Sequence, residues 1–217
     1  MLRVEFHCHT IHSPDSLTRP EALLAACALK KIDRVVITDH NTIRGALAAK
    51  ALDPQRVIIG EEIQTSEGEL LAAFVQEEVP KGLPPAEALA RLRQQGAFIS
   101  VSHPLDAHRG WRLEALQEIL PLVDALEVFN SRCVEAVFNT RAAEYARRHN
   151  LPGTVGSDAH TTRELGRSVL LLPDFNDADS LRQVLPQAAL QTRLSSPLIH
   201  LTSVYARERK RIGGISR

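Results

Sequence analysis

Short apolar runs alternate with helical segments along most of this chain, which leaves few folds open to it. The pattern predicts strands at 4–10, 34–37, 57–59, 70–75, 97–101, 125–129, 151–155 and 169–172. It predicts helices at 18–31, 42–52, 86–95, 113–120, 135–150 and 177–185. Strands that alternate with helices form a parallel sheet with helical crossovers. Because about seven such units follow one another without a linker, we expect an α/β fold whose sheet closes into a barrel.

Histidine and carboxylate residues follow the ends of several predicted strands. His7 and His9 end the first strand, where residues two apart project to the same side. His40 follows the second strand, and Asp158 and His160 follow the seventh. Barrels of this class build their active sites at these carboxyl ends. An open doubly wound sheet would gather its ligands at one switch point, and the Gly-rich phosphate loop of a nucleotide-binding sheet is missing after the first strand.

The 217-residue chain has the composition of an ordinary globular protein, with 44% apolar and 24% charged residues. Its 26 basic and 26 acidic residues cancel, so no overall field draws it to nucleic acid or to a membrane. No run approaches the roughly 20 apolar residues of a membrane span, and no signal peptide precedes the first strand. We therefore expect a cytoplasmic protein. The three cysteines lack CxxC spacing, which predicts neither a disulfide framework nor cysteine-bound zinc.

Pooling the polar residues at the strand ends gives eight candidate metal ligands. They are His7, His9, Asp15, His40, Glu62, His103, Asp158 and His160. Because this set exceeds what one ion takes, it fits two or three divalent ions such as Zn²⁺, Mn²⁺ or Fe²⁺. Neighbouring ions of this kind lower the pKa of a bridging water and clamp an oxyanion, and hydrolysis of a phosphate ester is their natural use.

The strings that carry these residues resemble the PHP (polymerase and histidinol phosphatase) family. They are HCHT at 7–10, TDH at 38–40, GEEI at 60–63, SHP at 102–104, EVFN at 127–130 and GSDAH at 156–160, in the family's order. The resemblance implies a distorted (β/α)7 barrel, a single domain over 1–217, and a metal-dependent phosphoesterase with up to three ions. It assigns His7, His9, Glu62 and Asp158 to a first metal position, Glu62 and His103 to a second, and Asp15, His40 and His160 to a third.

The stretch 69–75 departs from the family pattern, because many trinuclear members carry a further histidine there. Without it the second position keeps few protein ligands, so its ion is expected to bind weakly, to arrive with substrate or to be absent. Glu61 is a possible substitute ligand. Glu62 fits the motif better, and neighbouring residues of a strand face opposite sides.

Three residues near strand ends are candidate substrate contacts: Arg132, Arg109 and Asn130. The planar fork of arginine suits phosphate, although a salt bridge with Glu135 or another acid is the alternative for Arg132. Catalysis is assigned to three of the metal ligands, which are His40, Asp158 and His160.

The favoured function is hydrolysis of the phosphate ester of a small metabolite or nucleotide through a metal-activated water. A nuclease that trims short oligonucleotides would want a basic groove with aromatic residues, and only 4% of the residues are aromatic. A non-catalytic, metal-stabilised binding module is the third hypothesis, although such a module would tolerate the loss of its ligands. The basic segment 207–217 is expected to be a flexible, solvated tail.

Overall fold

A computed structural model describes residues 1–213 of the chain. Within this range the strands are β1 Leu2–Glu5, β2 Arg34–Ile37, β3 Val57–Gln64, β4 Glu69–Ala73, β5 Phe98–Val101, β6 Ala125–Asn130, β7 Gly153–Gly156, β8 Val169–Leu172 and β9 Ala189–Gln191. They form one sheet in the order β7-β6-β5-β4-β3-β2-β1-β8-β9. The pairs β1–β2, β2–β3, β5–β6 and β6–β7 are parallel, so their carboxyl ends share one edge, here called the rim.

The first seven strands close into a ring at the rim. Just after β1, Cys8 forms a parallel β-bridge with Ala159, which lies just after β7. The His9 N–H donates to the Ala159 carbonyl oxygen at 2.8 Å. Nearer its start, β1 pairs instead with β8, which runs antiparallel to it and pairs on its other side with β9. This ring is the distorted (β/α)7 barrel predicted from the sequence.

β4 runs antiparallel to both β3 and β5, so the prediction of a purely parallel barrel sheet was wrong for this strand. Four residues, 65–68, join β3 to β4, whereas a parallel crossover needs about a dozen or more. The Thr65 hydroxyl donates to the Gly68 carbonyl oxygen and accepts from the Gly68 N–H, which closes a hairpin. As a result Glu69, the first residue of β4, pairs with Gln64 at the rim.

The helices are α1 Pro20–Leu29, α2 Arg44–Leu52, α3 Pro85–Gln94, α4 Leu113–Ile119, α5 Ala136–Arg148, α6 Ala178–Val184 and α7 His200–Ile212. Pro20 stands in the first turn of α1, and no side chain caps the N-terminus of this helix. The Thr18 hydroxyl donates instead to the His160 carbonyl oxygen at 2.9 Å. No helix within 1–213 combines the length and the apolar character that a membrane crossing requires.

Two apolar clusters hold the helices on the sheet. The larger contains Phe6, Phe98 and Leu181 and packs α3, α4 and α6 against the strands. The smaller contains Leu23 and Cys27 of α1 and residues of α2. All three cysteines are buried and free, in agreement with the sequence.

The chain beyond β9 folds back onto the barrel as α7. Lys210 of this helix is only 9% exposed, and its Nζ donates to the carbonyl oxygens of Ile11 and Ser13, in the loop after β1. The prediction of a flexible tail was therefore wrong for residues 207–212. Residues 214–217 lie outside the described range.

Candidate metal centre

The rim gathers all eight predicted metal ligands into one buried site. Seven of them are at most 4% exposed, and His40 is partly exposed. The strands set this arrangement, because each ligand lies at or just beyond the carboxyl end of a barrel strand or, for Asp15, in the loop after β1. The roles of the individual residues remain predictions.

The atoms expected at the first metal position lie close together. His7 Nε2 lies 3.1 Å from His9 Nε2 and 3.2 Å from Glu62 Oε2. His9 Nε2 lies 3.4 Å from the same Glu62 oxygen and 3.3 Å from Asp158 Oδ1. Four donor atoms therefore surround one small volume.

The residues expected at the third position form the neighbouring part of the site. His160 Nε2 lies 3.2 Å from Asp15 Oδ1, and His40 Nε2 lies 3.7 Å from Asp15 Oδ2. The His9 ring lies against the rings of both His40 and His160, with centroid distances of 4.5 and 4.2 Å. The first and third positions are thus adjacent.

Glu69 adds a carboxylate beside the predicted second position, and sequence reasoning missed it. Its Oε2 lies 3.2 Å from His103 Nε2, which is itself 3.5 Å from Glu62 Oε1. Its Oε1 lies 3.7 Å from His40 Nδ1, and His40, Glu62 and Glu69 together can hold one ion. The only signal in the sequence is an acidic residue that opens a strand after a short turn.

Glu61 takes no part in this cluster. Its Oε2 accepts from the Val79 N–H at 3.0 Å, on the other side of β3 from Glu62. Burial raises its pKa to about 8, against the hydrogen bond from Val79. The expectation that adjacent residues of this strand face opposite ways therefore agrees with the structure.

Several buried atoms at the site have no hydrogen-bond partner among the described residues. They are Asp15 Oδ1, Glu62 Oε2 and both ring nitrogens of His103. Such groups are costly to bury unless something satisfies them. Carboxylate oxygens and imidazole nitrogens are ligands that divalent transition metals prefer, so the residues present fit the ions that the resemblance implies.

The electrostatics of the site also favour bound cations. Burial alone would raise the pKa of Glu62, but the charges of His7 and His40 hold it well below its usual range. Burial opposes the charged form of His40, yet the Glu62 and Asp15 carboxylates raise the pKa of its imidazole to about 10. In contrast, burial and the charge of His160 lower the pKa of His9 to about 3. The carboxylates therefore favour positive charge in the site, which a bound ion would supply in place of the proton on His40.

Two further buried carboxylates orient the histidines. Glu127 Oε1 lies 2.9 Å from His7 Nδ1, and its Oε2 accepts from the His103 N–H at 2.8 Å. Asp39 accepts from the Ser13 hydroxyl at 2.8 Å, and that hydroxyl oxygen lies 3.1 Å from His9 Nδ1. Both contacts leave Nε2 of the ring facing the cluster, which is how acceptors behind a metal-binding histidine fix its tautomer.

The backbone at the site adopts uncommon conformations. His103 and Asp158 have φ of 24° and 50°, in a region that residues other than glycine rarely occupy. Strained residues of this kind cluster at functional sites. At Gly156 a Cβ atom would lie 2.3 Å from the Cβ of His7, so a larger residue there would displace a predicted ligand.

The three predicted substrate contacts differ in their surroundings. Arg109 is one-third exposed, and its Nη1 donates to Asp158 Oδ2 at 2.7 Å at the wall of a cavity of about 530 Å³. Asn130 is buried, and its Nδ2 donates to Glu127 and Asp158 at 3.0 and 3.2 Å. Arg132 is buried in a salt bridge to Glu164, with Nε 2.6 Å from Oε1. The structure therefore shows the alternative interpretation of Arg132, a salt bridge, and the partner is Glu164 and not Glu135.

Helix α7 adds basic residues that the sequence did not associate with the site. Arg207 Nη2 donates to Asp15 Oδ2 at 2.9 Å. Arg207 and His40 line both the cavity that contains Arg109 and a second cavity of about 820 Å³. The basic residues of this second cavity are Arg44, Lys81, Arg207, Lys210 and Arg211, and no carboxylate of residues 1–213 lines it.

Comparisons with known proteins agree with the resemblance seen in the motifs. Residues 137–189 match the family described as PHP-associated. The chain is 37% identical over 180 residues to the uncharacterized protein MJ0417 of Methanocaldococcus jannaschii, a match that covers 81% of this chain and 72% of that protein. The fold is similar to a candidate metal-dependent phosphoesterase from Bifidobacterium adolescentis, with a TM-score of 0.61 and 18% identity over 86% of this chain and 96% of that one. It is also similar to the lesion-specific endonuclease PfuEndoQ from Pyrococcus furiosus, with a TM-score of 0.62 and 14% identity over 86% of this chain and 56% of that one.

Proposed function

We propose, because this chain belongs to the PHP (polymerase and histidinol phosphatase) family, that it is a metal-dependent phosphoesterase. Its substrate is the phosphate ester of a small metabolite or nucleotide, and its site holds two or three divalent ions. The observation that carries the proposal is the buried cluster at the rim, in which nine histidines and carboxylates meet and several of their atoms lack partners.

The ligands divide into three sets. The first ion would be held by His7, His9, Glu62 and Asp158, and the third ion by Asp15, His40 and His160. For the second, Glu69 joins Glu62 and His103, so this position is better provided with ligands than the missing histidine suggested. Ions bound there would supply Lewis acidity and charge neutralisation to a phosphate ester.

The remaining residues bind and orient the substrate. Arg109 is the best-placed phosphate contact, since it reaches the cavity while its bond to Asp158 fixes its position. Arg207 faces the same cavity from α7. Two guanidinium groups, each bonded to a carboxylate of the cluster, would hold a phosphoryl group in one orientation against it.

Trimming of short oligonucleotides is the second candidate function. It is favoured by the basic cavity of about 820 Å³, which adjoins the site and could accept a further phosphate of a chain. The cavity has no Phe, Tyr or Trp in its wall for base stacking, so a small phosphorylated substrate remains the first choice.

The test pairs elemental analysis of the purified protein with a phosphate-release screen. The screen covers sugar phosphates, histidinol phosphate, mononucleotides, nucleoside bisphosphates and dinucleotides. We expect two or three divalent ions per chain and turnover that Asp158→Asn abolishes, while Asp174→Asn, at an exposed position, leaves it intact. A protein that carries metal but hydrolyses nothing in the screen would favour the binding module instead.

A further inference from the structure

A second cluster of cations lies on the flank of the barrel, apart from the metal centre. It surrounds a cavity of about 390 Å³ whose lining residues are Arg3, Lys30, Arg163, Leu165, Gly166, Arg167 and Arg193. Five of these seven residues are basic and none is acidic. In a chain with zero net charge, so many cations around one cavity need a physical explanation.

The fold brings these residues together from four distant parts of the sequence. Arg3 belongs to β1, and Arg193 follows β9, which reaches β1 through β8. Arg163 and Arg167 lie in the loop between β7 and β8. Lys30 ends α1, and its Nζ donates to three carbonyl oxygens of that loop, at residues 162, 163 and 165. The cavity is therefore a product of the tertiary structure and not of a charged run.

None of the five basic side chains forms a salt bridge with any residue in 1–213. Their hydrogen bonds go to neutral acceptors: Arg3 to the Gln191 side chain and the Gly166 carbonyl, and Arg167 to the Leu194 carbonyl. The only carboxylate contact of Arg3 is made by its backbone N–H, which donates to Asp33. The cavity therefore contains no ion-paired carboxylate within 1–213. Glu5 and Glu164 act on Lys30 only from a distance, where their charges oppose the lowering of its pKa by burial.

One guanidinium group at the cavity is also incompletely bonded. Arg3 Nε is buried and donates to no acceptor among the described residues. A buried N–H without a partner is unfavourable, so a ligand that supplies the acceptor would be favoured. The buried carboxylate of Glu5 is not an acceptor for Arg3 Nε, because its oxygens accept from Ser157 and from the Gly166 N–H.

We propose that this cavity is a binding site for a phosphate group, separate from the metal centre. Guanidinium forks match the oxygens of phosphate, and several cations around one pocket suit a doubly charged oxyanion better than a carboxylate. The phosphate is either free inorganic phosphate or a phosphate of a nucleic acid strand, two sources with the same recognition chemistry. The site does not depend on the proposed phosphoesterase activity.

The test compares three forms of the full-length, metal-loaded protein. The first is the unaltered chain, and the second is the double variant Arg163→Ala/Arg193→Ala, which removes two exposed cations of the cavity. The matched control is Arg141→Ala/Arg147→Ala, which removes two exposed arginines of α5 and changes the net charge equally. Phosphate that binds at the metal centre contributes equally to the measurement in all three forms.

Isothermal titration with inorganic phosphate, and separately with an eight-nucleotide oligothymidylate, distinguishes the sources. A phosphate-binding event weakened at least about tenfold in the cavity variant and unchanged in the control would establish a site for free phosphate. The same loss seen with the oligonucleotide alone would assign the site to a strand. Equal affinities of all three forms for both probes would overturn the proposal. Because both altered side chains are exposed, circular dichroism should show an unchanged fold, and Arg163→Glu serves as a second variant.

Discussion

His7 Nδ1 lies 2.9 Å from Oε1 of Glu127, and neither side chain is exposed to solvent. An imidazole that donates its Nδ1–H to a carboxylate presents the Nε2 lone pair on the opposite side, where Glu62 and Asp158 lie. The same carboxylate accepts from the His103 N–H, in a stretch of strained backbone. Glu127 therefore links His7, a predicted ligand of the first position, to the backbone of His103, a predicted ligand of the second.

Replacing Glu127 by Gln should weaken metal binding. The amide can accept through only one oxygen, so one of the donors served by Glu127 loses its acceptor. We expect metal affinity to fall about 10–100-fold, as for other residues that orient metal ligands. Competition with a chromogenic chelator measures this, and Glu135→Gln, at an exposed position, is the control. Equal affinity of the two variants would show that Glu127 does not orient His7.

Replacing Glu69 by Gln should remove one ion and leave the others. The second position depends on Glu69 because its remaining ligands are His103 and the shared Glu62. Elemental analysis should show one equivalent less metal per chain. The neighbouring Glu61→Gln is the control, since Glu61 bonds to Val79 away from the cluster. Loss of metal from Glu61→Gln and not from Glu69→Gln would reverse the assignment.

The ligands that the sequence predicted lie at or just beyond the ends of strands, apart from Asp15 in the loop after β1. His-x-His after a strand puts both side chains on one side, and parallel strands bring such ends to one rim. Glu69 escaped prediction because its location depends on the direction of β4. If β4 were parallel to its neighbours, its first residue would lie at the end of the barrel opposite the rim.

The residues of α7 escaped prediction for a different reason. Its sequence is polar and ends in a basic run, which is typical of a solvated terminus. The helix is held on the barrel by polar contacts, such as Arg207 with Asp15 and Lys210 with the carbonyls of the loop after β1. Such contacts leave no hydrophobic periodicity in the sequence to reveal them.

Arg132 should contribute to stability and not to substrate binding. Arg132→Met leaves the Glu164 carboxylate buried and unpaired, a change that costs about 3–5 kcal/mol in comparable sites. The double variant Arg132→Met/Glu164→Gln removes that charge and should recover part of the loss, as measured by urea unfolding. If Arg132→Met folds stably and raises the KM for a phosphate ester, Arg132 contacts the substrate after all.

Glu61 should make stability decrease as the pH rises. Its pKa in the folded protein is raised to about 8, above its ordinary value of 4.5, so the folded state binds the extra proton between these pH values. The free energy of unfolding then falls with rising pH, by at most about 1.4 kcal/mol per unit. Glu61→Gln cannot ionise, so its stability relative to the unaltered protein should increase from pH 5 to pH 8. A difference that is constant over this range would contradict the raised pKa.

The central claim is that the rim cluster binds divalent ions and that these ions are required for phosphate ester hydrolysis. The most direct measurement removes metal with a chelator, restores Zn²⁺, Mn²⁺ or Fe²⁺ stepwise, and follows phosphate release from the best substrate of the screen. We predict that activity disappears on chelation, returns in proportion to the ions bound up to two or three per chain, and never returns in Asp158→Asn. Full activity of the chelated protein, or of Asp158→Asn, would contradict this account.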